Sequence, residues 1–194
     1  MATDLHRLRL AGKTVLMPAL AARSLGAPRG HRQRRVLVAQ ACSWGGDIAL
    51  NGRGRGPFLC GLGLFLGAHL AYISAFRSRS STPLLSTPAR RRFLAIGGVA
   101  SVAMATAAGR TDRVLAAPVA VYGMTLCTMT VAAAAVDSDR GRDRVLAGAA
   151  LFLLSDTLIG VRRFLAGDRG AALEAGVMAS YAAAQWCIGE AMLR

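Results

Sequence analysis

The chain has 194 residues, 54% of them hydrophobic, with a mean hydropathy of +0.40 and a formal net charge of +14. That balance is too apolar for an ordinary soluble domain, and the placement of the charge argues against nucleic acid as a partner. The arginines fall in short clusters between apolar blocks, at Arg29 to Arg35, Arg53 and Arg55, Arg90 to Arg92, and Arg162 and Arg163, as they do beside membrane-spanning helices rather than on a basic reading face.

A helix that crosses a bilayer needs about 20 largely apolar residues. The first apolar stretch, Thr14–Leu25, is short and contains Pro18, and Val36–Asn51 is short and carries Asp47. Four segments then meet the length comfortably: Pro57–Phe76, Phe93–Gly109, Val114–Val136 and Val145–Ala166. A fifth, Ala171–Leu193, is Ala-rich, with Glu174 near its start and Glu190 near its end, both expected to be solvated. In hydrocarbon every backbone N–H and C=O must be satisfied within its own segment. The expected fold is therefore all-α, a polytopic transmembrane bundle of about seven helices forming one integral-membrane domain over residues 1–194. Small residues recur in the spans and allow close helix approach. The cysteines Cys42, Cys60, Cys127 and Cys187 stand alone in apolar runs, without metal or redox spacing, and are expected to be small core residues rather than a disulfide.

With seven spans, 14 of the 24 basic residues lie on the side shared by the Arg77–Arg92 loop, the Arg140–Arg144 loop and the C-terminus, against 10 opposite. The positive-inside rule places that side in the cytoplasm. Lys13 is the only lysine, and arginine, alanine and glycine abound. That is the coding bias of a high-GC bacterial genome, so the expected location is a bacterial plasma membrane. The N-terminus then falls outside, which leads to the expectation that a first helix is missing or truncated.

Ionisable groups inside a membrane are costly and usually face the bundle interior. Here they are Asp47, His69 and Asp156, accompanied by Tyr72, Tyr122, Ser155, Tyr181 and Gln185. Asp47 lies six residues before Arg53, and Asp156 six before Arg162. At about 1.5 Å per residue, both carboxylates sit roughly 9 Å in from the same face, on helices running in the same direction. Two acids at one depth can share a pocket. Other readings stand beside this one: Asp47 as an interfacial residue at a helix end, His69 as a bridge to a neighbouring helix, and the tyrosines and Gln185 as packing. Each Asp helix is followed by one with polar residues (His69 and Tyr72; Tyr181 and Gln185), which outlines a four-helix unit used twice.

The pattern Ser43–x–x–Gly46–Asp47–x–x–Leu50 precedes "FLCGLGLFLGAHLAYISAF", with Gly61, Phe65, His69, Tyr72 and Phe76. "PVAVYGMTLCTMTVAA" follows, with Tyr122 and Met129, then "GAALFLLSDTLIGVRRF" with Gly148, Ala149, Phe152, Ser155, Asp156 and Phe164. "SYAAAQWCI" completes the order with Tyr181, Gln185 and Ile188. From about Lys13 onward the chain resembles the YhhN family of lysoplasmalogenase-like membrane proteins. That family usually has about eight helices, and "GKTVLMPAL" follows its Lys-Pro start to the second helix only loosely.

The resemblance implies cleavage of the vinyl ether of a lysoplasmalogen, a membrane lysophospholipid, to a fatty aldehyde and a glycerophospho-base. Such a bond breaks by protonation of its alkene carbon and capture of the resulting oxocarbenium ion by water. A buried Asp pair suits this, because burial and mutual repulsion push the two carboxyls apart in acidity. Asp47 and Asp156 are the expected catalytic pair. His69, Tyr72, Tyr122, Ser155, Tyr181 and Gln185 are expected to line the substrate pocket. With one His in the spans and no ligand cluster, neither zinc nor another cofactor is expected. Arg53, Arg55, Arg162 and Arg163 are candidates to meet the substrate phosphate, with membrane anchoring as their plainer role. A proton-coupled carrier also suits intramembrane acids and a repeat, and a non-catalytic lipid-binding protein is a third reading.

Overall fold

The computed structural model describes residues 21–26, 30–165 and 170–193, without the side chains of 170–172. The described residues form seven helices and no strand. They are α1, described over residues 21–25; α2, His31–Leu50; α3, Arg55–Arg77; α4, Pro88–Thr111; α5, Ala116–Ala134; α6, Arg142–Phe164; and α7, Gly170–Leu193. Most of the expected Thr14–Leu25 segment lies outside the described residues.

Four helices are long and apolar enough to cross a membrane: Arg55–Arg77, Pro88–Thr111, Arg113–Ala134 and Arg142–Phe164. They are the four segments whose composition alone met the length, and they make this a multi-pass membrane protein. The more polar α2 packs closely on α3, as α7 does on α6, while α5 joins these pairs to the outlying α4. Helix starts are marked by local chemistry. Thr87 caps α4, its hydroxyl accepting from the Arg90 amide with Pro88 at the first position. Asp112 holds the turn into α5 by accepting from the Val114 amide.

Close helix contact depends on glycine at two points. A Cβ on Gly46 of α2 would lie 2.6 Å from the Phe65 ring of α3. One on Gly148 of α6 would lie 3.0 Å from the Ala184 carbonyl oxygen and 2.7 Å from Ile188 on α7. The main core runs between these pairs around Tyr72, Phe76, Met129, Phe152 and Ile188, all fully buried.

Arginines bind carbonyls at the basic end and acids at both ends of the bundle. At the basic end, Arg79 is buried and donates to the carbonyls of Arg140 (3.0 Å) and Ala191. Arg90 donates to the Ala134 carbonyl (2.8 Å) and Arg35 to that of Ser74 (3.0 Å). These carbonyls lie in the last turns of helices, where partial negative charge collects. Burial, with Arg32 and Arg140 nearby, pulls the Arg79 guanidinium below its ordinary pKa. Asp137 joins the same end, where the Ser81 amide (3.0 Å) and hydroxyl (2.8 Å) hold its carboxyl below the usual range. At the opposite end arginines meet acids, Arg55 with Asp112 at 3.3 Å and Arg162 with Glu174 at 3.0 Å.

Two expectations need correction. Glu190 is not solvated: its side chain is only 10% exposed and pairs with Arg23 of α1, while Glu174 is held by Arg162. The helix end carrying Glu190 is covered by α1, which composition alone did not place there. Of the cysteines, all free, Cys127 is buried, but Cys60 is exposed on the outer face of α3, where lipid tolerates a small apolar side chain.

Candidate active site

Asp47 comes from the last turn of α2 and Asp156 from the outer half of α6. Each has a tyrosine. The Tyr181 hydroxyl on α7 donates to Asp47 Oδ2 at 2.8 Å, and the Tyr122 hydroxyl on α5 donates to Asp156 Oδ2 at 2.5 Å. The helices are exchanged between halves: the acid on α2 takes its donor from α7, and the acid on α6 meets His69 from α3, with Nε2 at 3.6 Å. Each carboxylate is thus attended by the helix that follows the other one.

The two settings differ in how completely their polar groups are used. Beside Asp47, the Tyr72 hydroxyl donates to Gln185 Oε1 at 2.5 Å, and Gln185 Nε2 donates to the Ser43 hydroxyl at 3.1 Å. One turn earlier on α2, Gln40 accepts from the Ser24 hydroxyl at 3.0 Å. This seam ties α1, α2, α3 and α7 together. Beside Asp156, by contrast, His69 is fully buried and neither ring nitrogen has a hydrogen-bond partner. A buried polar atom without a partner is costly and calls for an explanation.

Aromatic rings fill the space between the two acids. Phe152, one turn before Asp156, meets His69 edge-on at 4.9 Å, Tyr181 at 5.5 Å and Phe65 at 6.3 Å between centroids. Phe152 thus touches a neighbour of each acid, His69 beside Asp156 and Tyr181 on Asp47.

Next to Asp156 opens an apolar cavity of about 150 Å³ between α3, α4, α5 and α6. Asp156 and Tyr122 line it, with Ser101 and Thr157, in walls otherwise built from aliphatic side chains, Phe, Met, Cys127 and glycines. Asp47 does not line it. Of the residues singled out from sequence, His69, Tyr122 and Asp156 form one group, Asp47 with Tyr181 a second, and Tyr72 with Gln185 a third. Ser155 stands apart, donating to the Val177 carbonyl at 3.2 Å and fastening α6 to α7.

Gln40, Ser43 and Phe152 were not singled out for the site, although Gln40 and Ser43 in an apolar run signal a polar seam. The phosphate candidates separate too. Arg55 and Arg162 are engaged by acids, whereas the Arg163 guanidinium lies 3.9 Å over the Phe58 ring at the cavity's outer end.

A model of the YhhN family matches residues 8–192. No curated protein and no solved structure matches the chain.

Proposed function

The chain belongs to the YhhN family, which includes lysoplasmalogenases, and from that premise we propose that it hydrolyses the vinyl ether of a lysoplasmalogen. The observation that carries this reading is an acid opening onto an apolar cavity beside an unpartnered imidazole. Asp156 lines the cavity, Tyr122 grips it, and His69 lies beside it with both ring nitrogens unbonded.

In this reading the lipid's hydrocarbon lies in the cavity and its vinyl ether reaches Asp156. The protonated Asp156 carboxyl gives its proton to the alkene carbon remote from oxygen, and the C=C electron pair becomes the new C–H bond. The ether oxygen's lone pair then makes an oxocarbenium ion. Asp47, held by Tyr181, stabilises that cation through the low-dielectric interior. Water, oriented by His69, adds to the cationic carbon and returns a proton to Asp156. The hemiacetal collapses with cleavage of the bond to the glycerol oxygen, which takes up a proton. One water is consumed, and a fatty aldehyde and a glycerophospho-base are released. The two carboxyls divide the work as in glycoside hydrolysis, whose transition state is also oxocarbenium-like. The bacterial plasma membrane is the location this reading carries with it.

The test is purified protein in detergent with a lysoplasmalogen. Aldehyde should appear, and in D₂O it should carry one deuterium on the carbon next to the carbonyl, because that carbon accepts the proton. Absence of aldehyde, or turnover undiminished in both Asp47→Asn and Asp156→Asn, overturns the reading. Proton-gradient-driven uptake into liposomes without hydrolysis would favour a carrier instead.

A further inference from the structure

The wall of the cavity is weakest between α4 and α6. Helix α4 packs chiefly on α5 and only lightly on α6. Its other side faces outward, with Ile96 71%, Val99 73% and Val102 62% exposed. Ala100 on α4 and Thr157 on α6 line the cavity and are both solvent-accessible, so the cavity is open on this side, next to Asp156 in the chain.

One side chain crosses the gap. Met104 of α4 reaches the bare backbone of Gly160 on α6, where an added Cβ would lie 3.1 Å from both its sulfur and its terminal methyl. Two other approaches are narrowed by close packing. At the water-facing end Phe58 and Phe164 meet edge-on at 5.9 Å between centroids, with Arg163 over the Phe58 ring. At the inner end Gly97 abuts Cys127 so closely that a Cβ there would lie 2.5 Å from its sulfur.

We infer that this cavity is a slot for one hydrocarbon chain of a membrane lipid, entered sideways from the bilayer between α4 and α6, with Met104 as its movable bolt. A chain that arrives sideways never leaves apolar surroundings, whereas one drawn through the water-facing end must cross an aromatic plug under a cation. Methionine is unbranched and adaptable, so it can swing aside at small cost. The portal lies at the depth of Asp156, which brings the chain's polar end to the carboxylate without threading the whole lipid past it. This inference deepens the hydrolase reading and rests on it only for the identity of the lipid.

The experiment uses a lysophospholipid with a photoactivatable diazirine in its chain, incorporated with the full-length protein in lipid nanodiscs. After illumination, mass spectrometry locates the label. Wild-type protein should be labelled on peptides covering residues 93–110 and 150–164, and Thr157→Trp, a change on a lipid-facing surface, should cut labelling at least fivefold.

A second variant carries Met104→Cys and Gly160→Cys. The two positions are close enough for a disulfide, since a Cβ at 160 lies 3.5 Å from the Met104 Cγ. Oxidation should abolish labelling and reduction should restore it, with each single cysteine variant insensitive to both. Unlabelled wild type, or labelling unchanged in Thr157→Trp and in the oxidised pair, overturns the portal. Normal labelling without aldehyde release from a lysoplasmalogen leaves the portal standing and removes the hydrolase reading.

Discussion

Asp47 and Asp156 share the same six-residue spacing to a following arginine, yet their surroundings teach opposite lessons. Around Asp47 a seam of paired groups joins four helices, with Tyr72, Gln185 and Ser43 in one chain of hydrogen bonds. Around Asp156 the helices part, an apolar cavity opens, and His69 is left with two unbonded nitrogens. A satisfied buried network holds a unique arrangement. A buried polar group left unsatisfied costs stability, and that cost is tolerated where the group serves the reaction. In the proposed hydrolase reading, the Asp47 side holds the bundle and supports the cation, and the Asp156 side delivers the proton.

The largest expected effect is on the working side. Asp156→Asn should lower aldehyde release by about 10²–10⁴, the usual worth of a positioned acid, with helix content by circular dichroism unchanged. A loss no greater than that of Asp47→Asn would erase the contrast in roles. His69→Leu sharpens it further: activity should fall at least about tenfold, while the thermal midpoint stays level or rises, because no hydrogen bond is lost. A His69→Leu protein that melts earlier, with turnover intact, would make His69 a structural residue.

On the holding side the signs reverse in kind. Gln185→Leu strands the Tyr72 hydroxyl and removes the donor to Ser43, and should cost about 1–2 kcal/mol of stability. Tyr72→Phe removes one bond of the same chain and should cost about 1 kcal/mol or less. Both are read as shifts of the unfolding midpoint in detergent, with the double variant showing non-additivity. The smallest effect belongs to the basic end. The Asp137 carboxyl is held below its ordinary pKa by Ser81, so it contributes stability above the usual carboxylate range that fades as pH falls through it. Ser81→Ala should flatten that acid-side slope slightly and leave the neutral-pH midpoint almost unchanged.

Much of this architecture is legible before any coordinates. The four spanning helices follow from runs of apolar length between arginines. Which tyrosine serves which acid is another matter. Pairing Tyr181 with Asp47 depends on α7 lying beside α2, a neighbour relation carried by contacts such as Gln185 with Ser43 rather than by any local pattern. Depth alone joins the acids as an equal pair, whereas the rotation of α2 keeps Asp47 out of the cavity that Asp156 lines. Gln40 and Ser43 escaped notice as part of the site for a simpler reason. They lie in the short, more polar α2, where a polar side chain stands out less than in the four apolar spans. Glu190 shows the reverse case, a charge near a helix end that α1 covers.

Gly46 reaches further than its size suggests. Its missing Cβ gives the Phe65 ring its seat, and Phe65 in turn touches both Phe152 and Tyr181, the rings beside the two acids. Every amino-acid replacement of glycine adds at least a methyl group, and here that methyl strikes a rigid ring. Position 46 is therefore closed to ordinary genetic drift, although the residue carries no functional group and takes no part in the chemistry.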